Sequence, residues 1–291
     1  MKGGFCVVYM TVKTSINSFL DWKDSYIESA VSYRCAIDPF LKKCGNREIE
    51  DITIDDVSKL IRELKSKYSD GYIFNILTIL KMYFKFVHYQ GVKSINPEMI
   101  RPKRVIIVRP YPNEEDIDMM CESFDSSTFL GIRNNLLIRM LYETGARISE
   151  VLSIEIKDLD VHKNYAEVMT RKSHVPRYIM WKEETHALLL TYLGMRLARD
   201  YKANHLYIGK NGTKLTVRGA EYMFACSCSN IGVKFRVHDI RHACAHRLLR
   251  IGANVKQIGD KLGHSPNNPM SAMHYLRFNK EESLENLRKF V

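Results

Sequence analysis

The sequence has 291 residues, of which 45% are hydrophobic and 26% are charged, with 15 glycines and 8 prolines. A chain of this composition can bury hydrophobic cores and is typical of a globular, soluble protein, and the length predicts two domains. The net charge of +11 favours a polyanionic partner such as nucleic acid or an acidic membrane surface, although ordinary solubilising charge would give the same excess. The sequence contains no apolar run long enough to span a bilayer, and its seven scattered cysteines are typical of reduced thiols, so we expect a cytoplasmic protein.

The first segment, residues 1–95, has helical periodicity and predicts an all-helical domain. Within it, Thr53 is placed to cap a helix whose first turn carries two aspartates. A long apolar helix follows and carries Lys81 and Lys85. Both lysines are candidates for contact with a phosphate backbone.

Residues 96–112 combine prolines with basic residues and have no helical period, which predicts an extended interdomain linker. Its basic side chains Arg101, Lys103 and Arg104 are candidate phosphate contacts, but a merely solvated linker fits equally well.

The second domain is predicted to span residues 113–278 and to combine helices with a small antiparallel sheet. From Ile154 to Met180 the pattern alternates and is rich in β-branched residues, with breaks at 163–164 and at 172–174 that predict tight turns. A last helix is predicted at 279–291. The fold class is therefore mainly α, with an all-helical N-terminal domain and a mixed α/β second domain.

The stretch "HDIRHACAHRLLRIGANVKQIGDKLGH" predicts two short helices in succession. His238 and Arg241 share one face at the start of the first helix, where free N–H groups and the helix dipole favour an anion. Asn254 caps the second helix, Gly263 ends it, and His264 follows directly. These side chains could hold one phosphate together. The alternative is that Arg241 pairs with Asp239 or Asp260 and both histidines are ordinary surface residues.

Three further positions add to this pattern. Arg147 projects from a helix junction after "ETG", and Glu150 is placed three residues on to orient its guanidinium. Lys172 lies in the predicted hairpin turn "TRKSHVPR", where Arg171 competes with it for a phosphate contact. Tyr275, the last tyrosine of the chain, follows a proline-containing break after His264.

In this order, the motifs "TGARISEVLSIEIKDLD", "RKSHVPRYIM", "HDIRHACAHRLLRIG" and "DKLGHS" through Tyr275 resemble those of the tyrosine recombinase (phage integrase) family, most closely its Xer-type members. The resemblance implies a core-binding N-terminal domain and a catalytic second domain. It also implies an active site with Glu150 in support and with these catalytic residues: Arg147, Lys172, His238, Arg241, His264 and the nucleophile Tyr275. Seven residues are then candidate DNA contacts: Lys81, Lys85, Arg101, Lys103, Arg104, Arg171 and Arg177.

The activity that the resemblance implies is cutting and rejoining of duplex DNA through a 3′-phosphotyrosyl intermediate, without metal, ATP or any other cofactor. The expected partner is double-stranded DNA at the nucleoid. On DNA the resemblance implies a homotetramer whose subunits exchange the 279–291 helix. Alternatively, this helix packs on its own domain. This sequence departs from the family in two ways: the His264–Tyr275 spacing of eleven positions is longer than usual, and Lys172 lacks flanking glycines.

Two rival functions remain open at this level. A type IB topoisomerase would share the nucleophile and the arginines, and a non-catalytic DNA-binding protein could use the same fold. Among recombinases, chromosome dimer resolution and integration or excision of a mobile element are both compatible with the sequence.

Overall fold

The computed structural model describes residues 10–27, 29–103, 110–169, 176–199 and 201–264. By its internal contacts the chain divides into two compact units, Met1–Ile107 and Val108–Val291. The division falls inside the predicted linker at 96–112. Its described part includes a single 3₁₀ turn at Pro97–Met99, which the prediction of an extended segment did not anticipate.

In the described residues of the first unit the regular elements are helices, with one isolated β-bridge between Thr11 and Glu48, and the unit has its own hydrophobic core. Tyr83 and Phe84 are fully buried at its centre and contact Phe40. Thr53 begins the third helix as predicted, because its hydroxyl accepts from the Asp56 amide at 3.3 Å while the Asp56 carboxylate accepts from the Thr53 amide at 2.9 Å. The helices of this unit are α1 (Val12–Asp24), α2 (Val31–Cys44), α3 (Ile54–Lys65) and α4 (Asp70–Tyr89).

The second unit surrounds a separate core with helices and one small sheet. Its long central helix is almost entirely buried, in keeping with its apolar sequence. The helices in chain order are α5 (Glu114–Glu122), α6 (Phe129–Thr144), α7 (Ile148–Val151), α8 (Glu183–Leu197), α9 (Val217–Asn230), α10 (Val237–Arg250) and α11 (Val255–Leu262). The strands between α7 and α8 are β1 (Leu159–Asp160), β2 (Tyr165–Met169) and β3 (Pro176–Met180).

The predicted antiparallel sheet is confirmed, with strand order β1-β2-β3. The break predicted at 163–164 is a turn in which Asn164 has a φ of +53°, a left-handed conformation that asparagine tolerates better than most residues. On the inner face Val168 and Ile179 are buried, and Arg177 lies opposite Val168 on that same face. A charged side chain therefore faces inward from β3.

Helices α10 and α11 pack as a pair around Cys244, Ala245, Ile258 and Leu262, all of which are buried. The predicted Asn254 cap of α11 is confirmed as a capping box.

The described chain is mainly helical and has one small antiparallel sheet, which confirms the predicted fold class. Within the described ranges, the structure contains no helix with the length and apolarity needed to cross a membrane.

Candidate active site

Arg147 is positioned by a sharp break between α6 and α7. Helix α6 ends at Gly145, whose φ of +61° is left-handed. A Cβ at Gly145 would lie 2.5 Å from Leu262 Cδ2 and 2.9 Å from Cys244 Sγ, so glycine is required by space as well as by conformation. Two residues later Arg147 is the N-cap of α7, with its side chain one-third exposed. The predicted break and restart of the helix are confirmed.

Glu150 accepts hydrogen bonds from both the side chain and the backbone of Arg147. Its Oε1 accepts from Arg147 Nη1 at 2.7 Å, and its Oε2 accepts from the Arg147 backbone amide at 3.0 Å. The Glu150 side chain is 1% exposed, which makes it a buried carboxylate that needs cationic partners. Glu150 therefore orients the Arg147 guanidinium as the sequence predicts.

Arg241 is the fifth residue of α10 and is almost fully buried at 2% exposure. Its Nη1 donates to the Gly145 carbonyl oxygen at 2.6 Å, which ties α10 to the α6–α7 break. Asp239, one of the two alternative partners of Arg241, forms an ion pair with Arg236 at 2.9 Å. The guanidinium is thus placed by backbone 96 positions away in the sequence.

Arg147, His238 and Arg241 line one common cavity of about 260 Å³. Two cationic side chains and an imidazole therefore meet around one small space, next to the first turn of α10. Such a space suits a bound phosphate group, because guanidinium groups bind its oxygens in pairs of hydrogen bonds. The remaining lining residues are Leu141, Ala146, Ile148, Ser149, Glu221 and Val237.

His238 is exposed at the start of α10, and its charged neighbours are three arginines and Asp239. Partial burial, followed by the positive charge of Arg241, lowers the pKa of His238, while Asp239 opposes this shift. A lowered pKa keeps the imidazole neutral at physiological pH. A neutral imidazole can accept a proton, which is the property a general base needs.

Three histidines follow one another at four-residue spacing along α10. The rings of His238 and His242 meet edge to face at 5.4 Å, and the His246 ring stacks on Tyr111 at 4.0 Å. Burial and then the neighbouring His238 lower the pKa of His242 to about 4. His242 and His246 are not among the residues predicted from the sequence, although the four-residue spacing in "HDIRHACAH" places all three histidines on one helix face.

We predict that His242 makes the protein sensitive to acid. Because its pKa is lower folded than unfolded, its contribution to the free energy of unfolding is present above pH 6.5 and is lost as the pH falls towards 4. The loss should reach about 2 kcal/mol at pH 5. Urea unfolding of His242→Asn should show a correspondingly smaller drop between pH 7 and pH 5 than the wild type. His162→Asn, in the β1–β2 turn, is the control; an identical drop in all three proteins would contradict the prediction.

His264 follows Gly263, the left-handed residue that ends α11. Its backbone amide donates to the Gly259 carbonyl oxygen at 2.9 Å, so the α11 C-terminal turn fixes where the residue begins. A Cβ on Gly263 would lie 2.5 Å from Arg177 Nε. The position of His264 therefore depends on close packing of this turn against β3.

Four predicted functional residues lie outside the described residues: Arg104, Lys172, Arg171 and the proposed nucleophile Tyr275. The helix predicted at 279–291 lies outside them as well. Their roles stay predictions.

The candidate DNA contacts have contrasting surroundings. Lys81 and Lys85 both form ion pairs with Glu98, at 2.7 and 3.1 Å, while Arg101 and Lys103 are exposed. Arg177 is only 13% exposed, and among the described residues its guanidinium has internal partners. The predicted contact of Arg177 with DNA stays a prediction, but its observed position is that of a partly buried linking residue.

The described residues contain no group of three or more histidine, cysteine, aspartate or glutamate side chains arranged to hold a metal ion. The cavity lining has one carboxylate, Glu221, beside Arg147 and Arg241, whose guanidinium groups are donors suited to an anion.

Relatives of this chain by sequence include tyrosine recombinases of the XerC type. The chain is 28% identical over 252 residues to tyrosine recombinase XerC of Bacillus licheniformis, which covers 83% of this chain and 82% of that protein. It is 26% identical to XerC of Bacillus subtilis over 267 residues, covering 88% of this chain and 86% of the relative.

Solved structures share the fold at lower identity. The Tn1549 transposon integrase in complex with transposon right end DNA matches with a TM-score of 0.77 and 18% identity, covering 97% of this chain and 99% of that one. A lambda integrase tetramer bound to a Holliday junction matches with a TM-score of 0.76 and 14% identity, covering 94% and 80%. The phage integrase family model matches residues 113–282, which are more than half of the sequence and include Arg147, Glu150, His238, Arg241 and His264, so this chain belongs to the phage integrase family.

Proposed function

We propose that the protein is a site-specific tyrosine recombinase that cuts and rejoins duplex DNA through a covalent bond to Tyr275. The observation that carries the proposal is the convergence of Arg147, His238 and Arg241 on one cavity. Membership of the phage integrase family and the likeness to XerC proteins support it.

The arginines solve the first difficulty of the reaction, which is that a DNA phosphodiester already carries negative charge. Arg147 and Arg241 bind the non-bridging oxygens and neutralise the charge that builds up in the transition state. Burial of Arg241 and the fixed Glu150–Arg147 pair mean that little reorganisation is needed when the phosphate arrives. His264 adds a hydrogen bond to the same phosphate.

The second difficulty is the nucleophile. A phenol with a pKa near 10 is ionised to about one part in a thousand at pH 7. Neutral His238 accepts the Tyr275 proton as the phenolic oxygen attacks phosphorus. The bond from phosphorus to the 5′-oxygen breaks, and Lys172 protonates that oxygen, which leaves a 3′-phosphotyrosyl bond and a free 5′-hydroxyl.

The covalent intermediate retains the energy of the phosphodiester. A second 5′-hydroxyl can therefore attack it, release Tyr275 and rejoin the strands without nucleotide hydrolysis.

A nicked suicide duplex tests the proposal directly. Cleavage next to the nick releases a short fragment that carries the free 5′-hydroxyl. Once this fragment diffuses away, rejoining is prevented, and the wild-type protein should accumulate as a protein–DNA adduct that survives denaturant. Absence of such an adduct on any DNA that the protein binds specifically would contradict the proposed function and favour a non-catalytic DNA-binding protein. Formation of four-way junctions from two duplexes supports a recombinase, whereas relaxation of supercoiled plasmid alone would point to a topoisomerase.

We further propose that four copies assemble on DNA and that the 279–291 helix links neighbouring subunits. The lambda integrase tetramer on a Holliday junction supports assembly of this fold on DNA. We propose the nucleoid as the place of action, since duplex DNA is the substrate.

Deletion of residues 279–291 is predicted to abolish cooperative binding to a two-site duplex while binding to a single half-site continues. The reason is that the deletion removes a contact between subunits and leaves the described site intact. Native gel shifts over a protein titration measure both quantities. Unchanged cooperativity would show that the helix packs on its own subunit.

A further inference from the structure

Arg177 is a charged residue on the buried face of a strand. It pairs with Val168 across the sheet, and both Val168 and the nearby Ile179 are at most 3% exposed. Its own side chain is 13% exposed. A guanidinium in this position persists only with good partners, so its contacts indicate its purpose.

The first partner is Glu150. Arg177 Nη2 donates to Glu150 Oε2 at 2.8 Å, on the carboxylate whose Oε1 binds Arg147 Nη1 at 2.7 Å. The two arginines thus share one buried carboxylate. Burial raises the pKa of Glu150, but the hydrogen bonds from Arg177 and Arg147 outweigh it and hold the pKa below its usual value. Without Arg177, fewer hydrogen bonds would oppose the effect of burial, and the pKa of Glu150 would rise. A protonated Glu150 would bind the Arg147 guanidinium less firmly.

The second partner is the end of α11. Arg177 Nη1 donates to the Lys261 carbonyl oxygen at 3.0 Å, which binds one of the last carbonyls of that helix. Lys261 Nζ in turn donates to the Met180 carbonyl oxygen at 3.5 Å, so the α11 end and β3 are joined twice. Gly263 packs directly on the guanidinium, where any Cβ would lie 2.5–2.9 Å from Nε, Cδ and Cζ. His264 is the next residue.

We infer that Arg177 is a positioning residue for strand cleavage: it locks Arg147, through Glu150, into register with the α11 turn that presents His264. One guanidinium thereby sets the relative placement of two groups that the proposed mechanism uses on the same phosphate. Arg177 itself need not contact DNA. The inference rests on the proposed recombinase function, because both groups that it aligns belong to that mechanism.

The test separates cleavage from binding. Arg177→Met should lower the single-turnover cleavage rate on the suicide duplex by about 10²-fold, because small misplacements of catalytic groups have effects of that size. The dissociation constant for the same DNA, from fluorescence anisotropy, should stay close to the wild-type value. Arg250→Met, which removes an exposed arginine at the end of α10, is the control for lost charge and should change neither. Arg177→Lys, which keeps the charge but not both hydrogen bonds, should recover part of the rate.

A pH profile and a double variant report the route through Glu150. The cleavage rate of Arg177→Met should rise more steeply between pH 5 and 8 than that of the wild type, because its Glu150 then ionises at higher pH. In the Glu150→Gln background, Arg177→Met should lower the cleavage rate by a much smaller factor than it does in the wild type, since the two residues act through one contact.

Three results would overturn the inference: an unchanged cleavage rate in Arg177→Met, additive effects of the two substitutions, or a loss of DNA affinity that matches the loss of cleavage. In the last case the slope of log affinity against log salt would fall by about one, as expected for a lost phosphate contact. If thermal unfolding shows that Arg177→Met does not fold, Arg177→Lys carries the comparison of rate with affinity. Failure of the proposed function is distinct, because then the wild type itself forms no adduct.

Discussion

A Tyr275→Phe variant is expected to form no denaturant-resistant adduct on the suicide duplex, at any protein concentration or time. The substitution removes the phenolic oxygen that attacks phosphorus, and no other change can restore a bond to an atom that is absent. Because the ring is retained, specific DNA binding should continue at close to wild-type affinity. Gel electrophoresis in denaturant measures the adduct, and a native gel shift measures the binding.

The matched control for this variant is one of the preceding tyrosines. Tyr222 is an exposed residue of α9, and its replacement by phenylalanine removes the same oxygen from a position outside the cavity. It should form the adduct at the wild-type rate. An adduct with Tyr275→Phe would show that another residue is the nucleophile, and peptide mapping of that adduct would identify it.

Arg241→Lys is expected to reduce the rate of strand cleavage by about 10²- to 10³-fold, the range observed when one preorganised donor to a transition-state charge is removed. Arg241 uses Nη1 to bind the Gly145 carbonyl oxygen from a position that is 2% exposed. A guanidinium can keep that bond and still turn other N–H groups towards a phosphate, whereas a single ammonium at the end of a flexible stem cannot match this geometry. Charge is conserved in the variant, so the loss reports the fork of the guanidinium.

The measurement is the single-turnover rate at saturating protein, beside the dissociation constant for uncleaved DNA. Arg250→Lys makes the same chemical change at an exposed arginine of α10 and should cleave at the wild-type rate. If Arg241→Lys also cleaved at that rate, positive charge alone would suffice, and a two-fork clamp on the phosphate would be wrong.

The three predictions on Arg177, Arg241 and Tyr275 differ in what they leave intact. Loss of Tyr275 should remove chemistry and spare binding, and loss of the Arg241 fork should slow chemistry without removing it. Loss of Arg177 should add a dependence on pH that neither of the others has, because it acts through a carboxylate.

The sequence alone determined the features that depend on neighbours within about four residues. Local hydrogen bonding and backbone conformation decide where helices begin and end. The residue types alone therefore predict the Thr53 and Asn254 caps, the break after Thr144 and the left-handed Gly263. Alternation along β2 and β3 likewise predicted the sheet, because successive side chains face opposite sides. The positions of Arg147 and His238 at helix starts could be deduced in the same way.

Only the tertiary structure decided which of these groups meet. Arg241 binds a carbonyl 96 positions away, and Arg177 joins Glu150, 27 positions away, to Lys261, 84 positions away. An arginine in an alternating strand can face solvent and DNA or face inward, and the register of β3 against β2 selected the inward face. Local pattern carries no information on such pairings, since they depend on how α7, β3 and α11 pack together. The assignment of Arg177 as a linking residue therefore required the folded chain.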